Sequence, residues 1–147
     1  MNFKYLNKVL RTAILTEIDG NLTLNSVNVP VYDRVPKAIE FPFVVIQVSD
    51  ENDSERCKDS YIHKSTVTIN VVTGFDGNYG GQADADDITD QITQILFNTS
   101  GTYFTLNADF EIITCNVSSI QVIESQTDTH YIVQESIVVI YTVDQLT

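Results

Sequence analysis

The chain has 147 residues, of which 43% are hydrophobic and 19% charged, a length and balance that suit one globular domain and exclude a disordered segment. Its net charge of −12 is split unevenly: all eight basic residues lie at or before Lys64, and the part beyond holds eleven acids and no lysine or arginine. Such a half has nothing to neutralise phosphates, which argues against a direct grip on nucleic acid, and no apolar run approaches the length of a bilayer span.

From the N-terminus, Phe3, Leu6, Leu10, Ala13 and Ile14 recur at three- and four-residue spacings, which predicts an amphipathic helix from Asn2 to about Glu17. Gly20 suits the left-handed position after it. This N-terminus lacks the apolar core of a secretory signal, so Cys57 and Cys115 are expected as reduced thiols, one in a polar loop and one in an apolar strand. Neither has a partner at metal-ligand spacing. Asn21 to Asn28 alternates weakly and reads as a short strand or an extended loop.

All three prolines, Pro30, Pro36 and Pro42, follow at six-residue intervals. Each fixes its own φ and pushes the preceding residue toward extended geometry, so this stretch is expected to run as rigid extended segments broken by turns. Phe43 to Val48 is almost wholly apolar and predicts a strand buried on both faces. Ser49 to Ser60 is polar and dense in charge, and predicts a long solvated loop. Tyr61 to Val72 then alternates with period two and would pair antiparallel with the preceding strand. Long loops between paired strands often bind something, which makes Asp50, Glu51, Asp53, Glu55 and Arg56 candidates for partner contacts.

Four of the six glycines fall in the stretch from Gly74 to Gly81, read as a break between elements. A second helix is predicted from about Ala83 to Asn98, with Ala85, Ile88, Ile92, Ile95 and Leu96 on one face. Asp84 is expected to cap it while Asp86 and Asp87 meet its positive end. The glycines precede no P-loop lysine, which removes a phosphate-binding reading. Strands are predicted at Tyr103 to Leu106, Phe110 to Val122 and Tyr131 to Val143, with a turn at Ser125 to Thr129. The order predicts an α+β fold, a mainly antiparallel sheet with two helices packed on one face. Phe110 to Val122 carries apolar residues in both registers, Ile112 and Ile120 with Phe110, Ile113 and Val117. That excess implies either a larger core or a surface for subunit association.

Catalysis has little to work with. His63 and His130 both fall in strand-like segments, without a nucleophile elbow or a triad pattern. Asp76, Asn78, Gly81 and Asp87 echo a calcium loop only loosely, with Gly80 at one ligand position and Asp87 in place of the bidentate glutamate. No catalytic residue, metal or cofactor is expected, and the chain is not expected to be an enzyme.

The segment from Val31 to Ile46 carries a further signal. Its Val-Tyr-Asp-x-Val-Pro followed by Phe-Pro-Phe-Val-Val-Ile, behind an amphipathic helix, resembles the tail-completion or tail-terminator proteins of tailed bacteriophages. Tyr32, Pro36, Phe41, Pro42 and Phe43 are the scaffold residues of that motif, and none is catalytic. The resemblance implies a virion structural protein, assembled in the bacterial cytoplasm, whose copies form a homo-oligomeric ring, usually a hexamer. Such a ring caps the tail tube and joins it to the head-proximal neck. Its partners would be its own copies, the tail tube protein and the neck or connector proteins, with DNA only as passing cargo. On that reading the charged loop from Asp50 to Arg56 contacts tube or neck, and Asp84, Asp86, Asp87 and Asp90 line the channel or a subunit boundary. Another neck component, an adaptor or stopper, and a small monomeric binding module are the alternatives. The acidic C-terminal half and the few basic residues depart from the family pattern.

Overall fold

The computed structural model describes residues 2–35, 40–57, 60–76, 81–97, 103–127 and 129–147, with only the backbone described at 50–57 and 76. The first helix, α1, spans Asn7–Ile18 and buries Leu6, Leu10, Ile14 and Ile18 completely. It begins five residues later than the apolar spacing predicts. The preceding residues are engaged elsewhere: the Lys4 amide donates to Gln145 Oε1 (3.1 Å) and the Asn2 carbonyl accepts from Gln145 Nε2 (2.6 Å), which lays the N-terminal segment along the end of the sheet. Gly20, at φ +80°, adopts the left-handed conformation expected of it.

Two short strands follow, β1 (Thr23–Leu24) and β2 (Val27–Asn28), paired antiparallel. Asn25 and Ser26 between them both have positive φ, as a two-residue turn matched to strand twist requires. The proline stretch then gives β3 (Val31–Tyr32), parallel to the start of β4 (Phe43–Cys57). The Phe41–Pro42 peptide bond is cis, and Pro42 stands just before the first residue of β4. Val44 and Ile46 on one face of β4, and Phe43 and Val45 on the other, are all buried, as their apolar run predicts.

Of the solvated loop expected at Ser49 to Ser60, the described residues, Ser49 to Cys57 and Ser60, are instead strand. β4 continues to Cys57 and pairs with β5 (Ser60–Asp76) down to Cys57↔Ser60, with register shifts after Val48 and Asp53. Polar composition misleads here because backbone pairing needs no apolar side chains. β5 also runs past the expected break, taking in Gly74, Phe75 and Asp76. Gly74 is required for packing, since a Cβ there would stand 2.5 Å from the Phe41 ring.

The second helix, α2, spans Ala83–Leu96. Its N-cap is Gln82, without a side-chain capping bond, so Asp84 lies inside the first turn and is not the cap. Residues 103–106 form no strand. Phe104 and Leu106 fasten that segment by side chain, Phe104 meeting Tyr141 edge-on at 5.9 Å. The last two strands are β6 (Phe110–Gln126) and β7 (His130–Gln145).

The main sheet has the order β3-β4-β5-β7-β6 and is antiparallel except where β3 meets β4. Two helices against such a sheet give the expected α+β architecture. α1 packs over β4, and α2 over β5 and β7. β7 shows strict alternation, with Val133, Ile137, Val139, Tyr141 and Val143 buried beneath the helix layer. Rows of side chains cross the sheet at one level, as in Ile46, Ile69, Ile137 and Ile120, and in Val48, Val67, Val139 and Val117.

Candidate subunit interface and tail contacts

Those rows change character at their last member. Ile46, Ile69 and Ile137 are fully buried, whereas Ile120 on β6 is 48% exposed. The same happens at Val117 (40%) and at Val122 (42%), which shares its row with Val44, Val71 and Glu135. Side chains at one level of a sheet share a face, so this stripe points to the helix side and lies beyond the cover that α2 gives β7. Ile113 and Ile123 add further exposed apolar surface to the strand. Of the apolar residues read on this strand, Phe110 and Ile112 join the core, while Ile113, Val117 and Ile120 lie on the surface.

β6 is also an open edge. Among the described residues no strand lies beyond it, and its 17 residues contain no proline, lysine or arginine, the residues that commonly keep an edge from pairing. Glu111 and Glu124 near its ends and register shifts at Ile112/Thr114 and Val117/Ser119 are the devices of that kind it carries. At the other end of the sheet, β3 pairs with β4 only at Val44 and Val45. Beyond Val45 no described strand occupies that side of β4.

The end of the sheet nearest α1 is closed by a polar cluster. His63 is buried, with its Nε2 3.1 Å from Gln145 Oε1, and lies against the rings of Phe3 and Phe110. Lys4 Nζ pairs with Asp109 Oδ1 at 2.9 Å, and the Thr147 hydroxyl donates to the same oxygen at 2.6 Å. These two bonds hold the Asp109 carboxyl below its ordinary range. Nearby, the buried Tyr141 hydroxyl meets the half-buried Cys115 thiol, which burial raises to about 11.

A second polar cluster joins helix to sheet and was not anticipated. Glu135, on the buried face of β7, accepts a hydrogen bond from the Thr89 hydroxyl and meets the Asp86 carboxyl. Burial first, and Asp86 second, push the Glu135 carboxyl up to about 7. The signal lay in the alternation itself, where Glu135 takes an inward position between Val133 and Ile137.

Of the residues singled out from the sequence, Asp50, Glu51, Asp53, Glu55 and Arg56 lie in the hairpin of β4 and β5 and not in a loop; their side chains fall outside the described residues. Asp84 and Asp86 occupy the first turn of α2. Asp87 and Asp90, one and two turns in, accept bonds from Gln91 (3.2 Å) and Gln94 (2.8 Å). The structure thus brings Asp86 to Glu135 and leaves Asp87 and Asp90 on the exposed side of the helix. Pro36 lies outside the described residues. The rest of the scaffold motif forms one aromatic cluster, with Phe41 stacked on Phe43 at 5.7 Å and Tyr32 6.5 Å from Phe43.

The comparison with known proteins agrees with this architecture. A chain of the virion of a native gene transfer agent particle has a similar fold, with a TM-score of 0.56 over 93% of this chain and 90% of that one, at 14% identity. No curated protein matches the sequence. The sequence profile of the tail completion protein gp17 family matches residues 9–141, from the middle of the first turn of α1 to Tyr141 near the end of β7. The chain therefore belongs to the tail completion protein gp17 family and is a structural protein of the phage tail.

Proposed function

We propose that the chain is the subunit of a closed ring, of six copies as the family resemblance implies, that ends the tail tube at its head-proximal end and receives the neck proteins. It acts as one domain, assembled in the bacterial cytoplasm and carried in the virion, and its work is geometric and not catalytic. The observation that carries this reading is a sheet left unfinished at both edges, with an apolar stripe on β6 that the subunit's own helices leave bare. Closed rings arise when one surface of a subunit meets a different surface of the next, and two unlike open edges are such surfaces. A ring that matches the last layer of the tube on one side, and presents a different face on the other, stops further stacking.

Charge supports the passage of DNA. Past Lys64 the chain offers no cation to a phosphate, so a ring built from it has little to hold the cargo. Repulsion by carboxylates reaches only about 8 Å at physiological salt, so only acids that face the channel contribute. We assign Asp84, Asp86, Asp87 and Asp90 to the subunit boundary, because α2 is the helix that flanks β6. The β4–β5 hairpin, with Asp50, Glu51, Asp53, Glu55 and Arg56, is assigned to the tube or neck.

Shortening that hairpin tests the assignment. Replacing residues 54–62 by a two-residue turn, with Asp50→Asn, Glu51→Gln and Asp53→Asn, removes the charged tip and keeps the buried His63 and the pairs from Val48↔Val67 to Phe43↔Val72. The variant is expected to fold, to enter no finished tail, and to give tails of irregular length in electron micrographs. Tails of normal length and normal infectivity would remove the hairpin from the contact.

A further inference from the structure

We infer that the β6 edge of one subunit pairs antiparallel with the β4 edge of the next, so that the sheet continues through the seam and the neighbour's α1 covers the bare stripe on β6. This deepens the ring reading and rests on it. Three observations on the subunit lead to it. The first is direction: β4 is antiparallel to β5, β5 to β7 and β7 to β6, so the two outer long strands run in opposite senses. Copies related by rotation about an axis along the strands therefore place β6 beside a β4 of opposite sense, which extends the antiparallel pattern without a break.

The second is level. Ile120 stands in one row with Ile46, and Val117 in one row with Val48. A neighbour docked without stagger sets its Ile46 beside Ile120 and its Val48 beside Val117, carrying each apolar row across the seam. β3 takes the outer side of β4 at Val44 and Val45, and the open part of β4 from Ile46 to Arg56 stands level with β6 from Ile120 to Phe110. β6 from Ile112 to Ile123 has no charged side chain to oppose Asp50, Glu51 and Asp53 of β4, and Glu111, in the row of Glu55, is the one like charge that this register brings to the seam.

The third is cover. In each subunit α1 packs over β4, whereas among the described residues no helix lies above Val117, Ile120 and Val122 of β6. A neighbour that brings its β4 to β6 brings α1 with it, and α1 then lies over the stripe. Pairing of β6 with a second β6 supplies no helix and leaves the β4 edge open on both copies.

Cross-linking decides between these arrangements. Gln47 and Ser119 share one row, linked through Thr68 and Val138, on the face away from the helices. Three strand spacings separate them within a subunit, about 14 Å, beyond the roughly 7 Å at which two cysteines can bridge. Across the proposed seam they are neighbours. In a background of Cys57→Ser and Cys115→Ser, the full chain with Gln47→Cys and Ser119→Cys is expected to give, on mild oxidation, a ladder of covalent oligomers that ends at the ring number. Each single variant alone should stay monomeric on a non-reducing gel, and the two mixed should give a dimer. Ile120→Lys, exposed on the free subunit, should leave its melting temperature unchanged and abolish the ladder. A Ser119→Cys dimer without Gln47→Cys, or an assembly seen by light scattering that yields no link between positions 47 and 119, would overturn the seam and leave the ring standing. Absence of any assembly, in solution and in particles grown with the variants, would overturn both.

Discussion

Replacing Ile137 by alanine is expected to destabilise the isolated subunit by about 2–5 kcal/mol, whereas the same change at Ile120, its neighbour in the same row on the next strand, should fall within about 0.5 kcal/mol of neutral. The two side chains are chemically identical and share a face of the sheet; they differ in what lies above them. Ile137 is fully buried, in the core that also contains Ile46, Ile69, Ile88 and Ile92, and its truncation loses transfer free energy and leaves a cavity. Ile120 is already half in water. In the proposed ring, where Ile120 is covered by the neighbour, the order should change: Ile120→Ala should weaken assembly while leaving the monomer's denaturant midpoint in place. Urea unfolding at low protein concentration, with light scattering at high concentration, checks both halves. A large loss of monomer stability from Ile120→Ala would show that the stripe is covered within one subunit.

The second large effect concerns Glu135 and pH. Its carboxyl is raised from 4.5 to about 7 in the folded chain, so between these values the native state holds a proton that the unfolded state has lost. Stability is therefore expected to be greatest, from this group, below about pH 4.5, to fall as the pH rises through 7, and to level off above it. At about 1.4 kcal/mol for each pH unit, the full effect is at most about 3.5 kcal/mol. Glu135→Gln keeps an acceptor for Thr89 and offers a permanent donor to Asp86, so it should stabilise the subunit by about 1–3 kcal/mol at pH 8 and change little near pH 4.5. Asp86→Asn should move the transition to lower pH, since the second cause of the raised value is gone. Thermal unfolding from pH 4.5 to 8.5 is the check. Parallel curves for the native chain and Glu135→Gln would contradict the buried protonated carboxyl.

Where periodicity and burial coincide, the sequence was a sufficient guide. Leu6, Leu10 and Ile14, the run Phe43 to Ile46, and the alternation of β7 each repeat at the spacing of the surface they bury, and the α+β arrangement follows from them. The hairpin tip was lost for a physical reason: Asp50 to Cys57 is held by backbone pairing to β5, which leaves no trace in side-chain polarity. Tyr103 to Leu106 failed in the opposite direction, since its aromatic and β-branched residues suit a strand but serve as anchors on the core. The bare stripe was half legible. Apolar residues in both registers of β6 announced more hydrophobic surface than one side could bury, yet only the row from Ile46 to Ile120 shows which members lie outside the helix layer. Glu135 was visible as a charge at an inward position, while its partner Asp86 could be found only once α2 was placed over β7.

Cryo-electron microscopy of whole particles, with the subunit located by a tag following the exposed Thr147, tests the central claim most directly. The expected image is a closed ring of copies at the junction of tail and head, with one continuous sheet running through each subunit boundary. Single, separated subunits, or a position at the far tip of the tail or off the particle altogether, would contradict it.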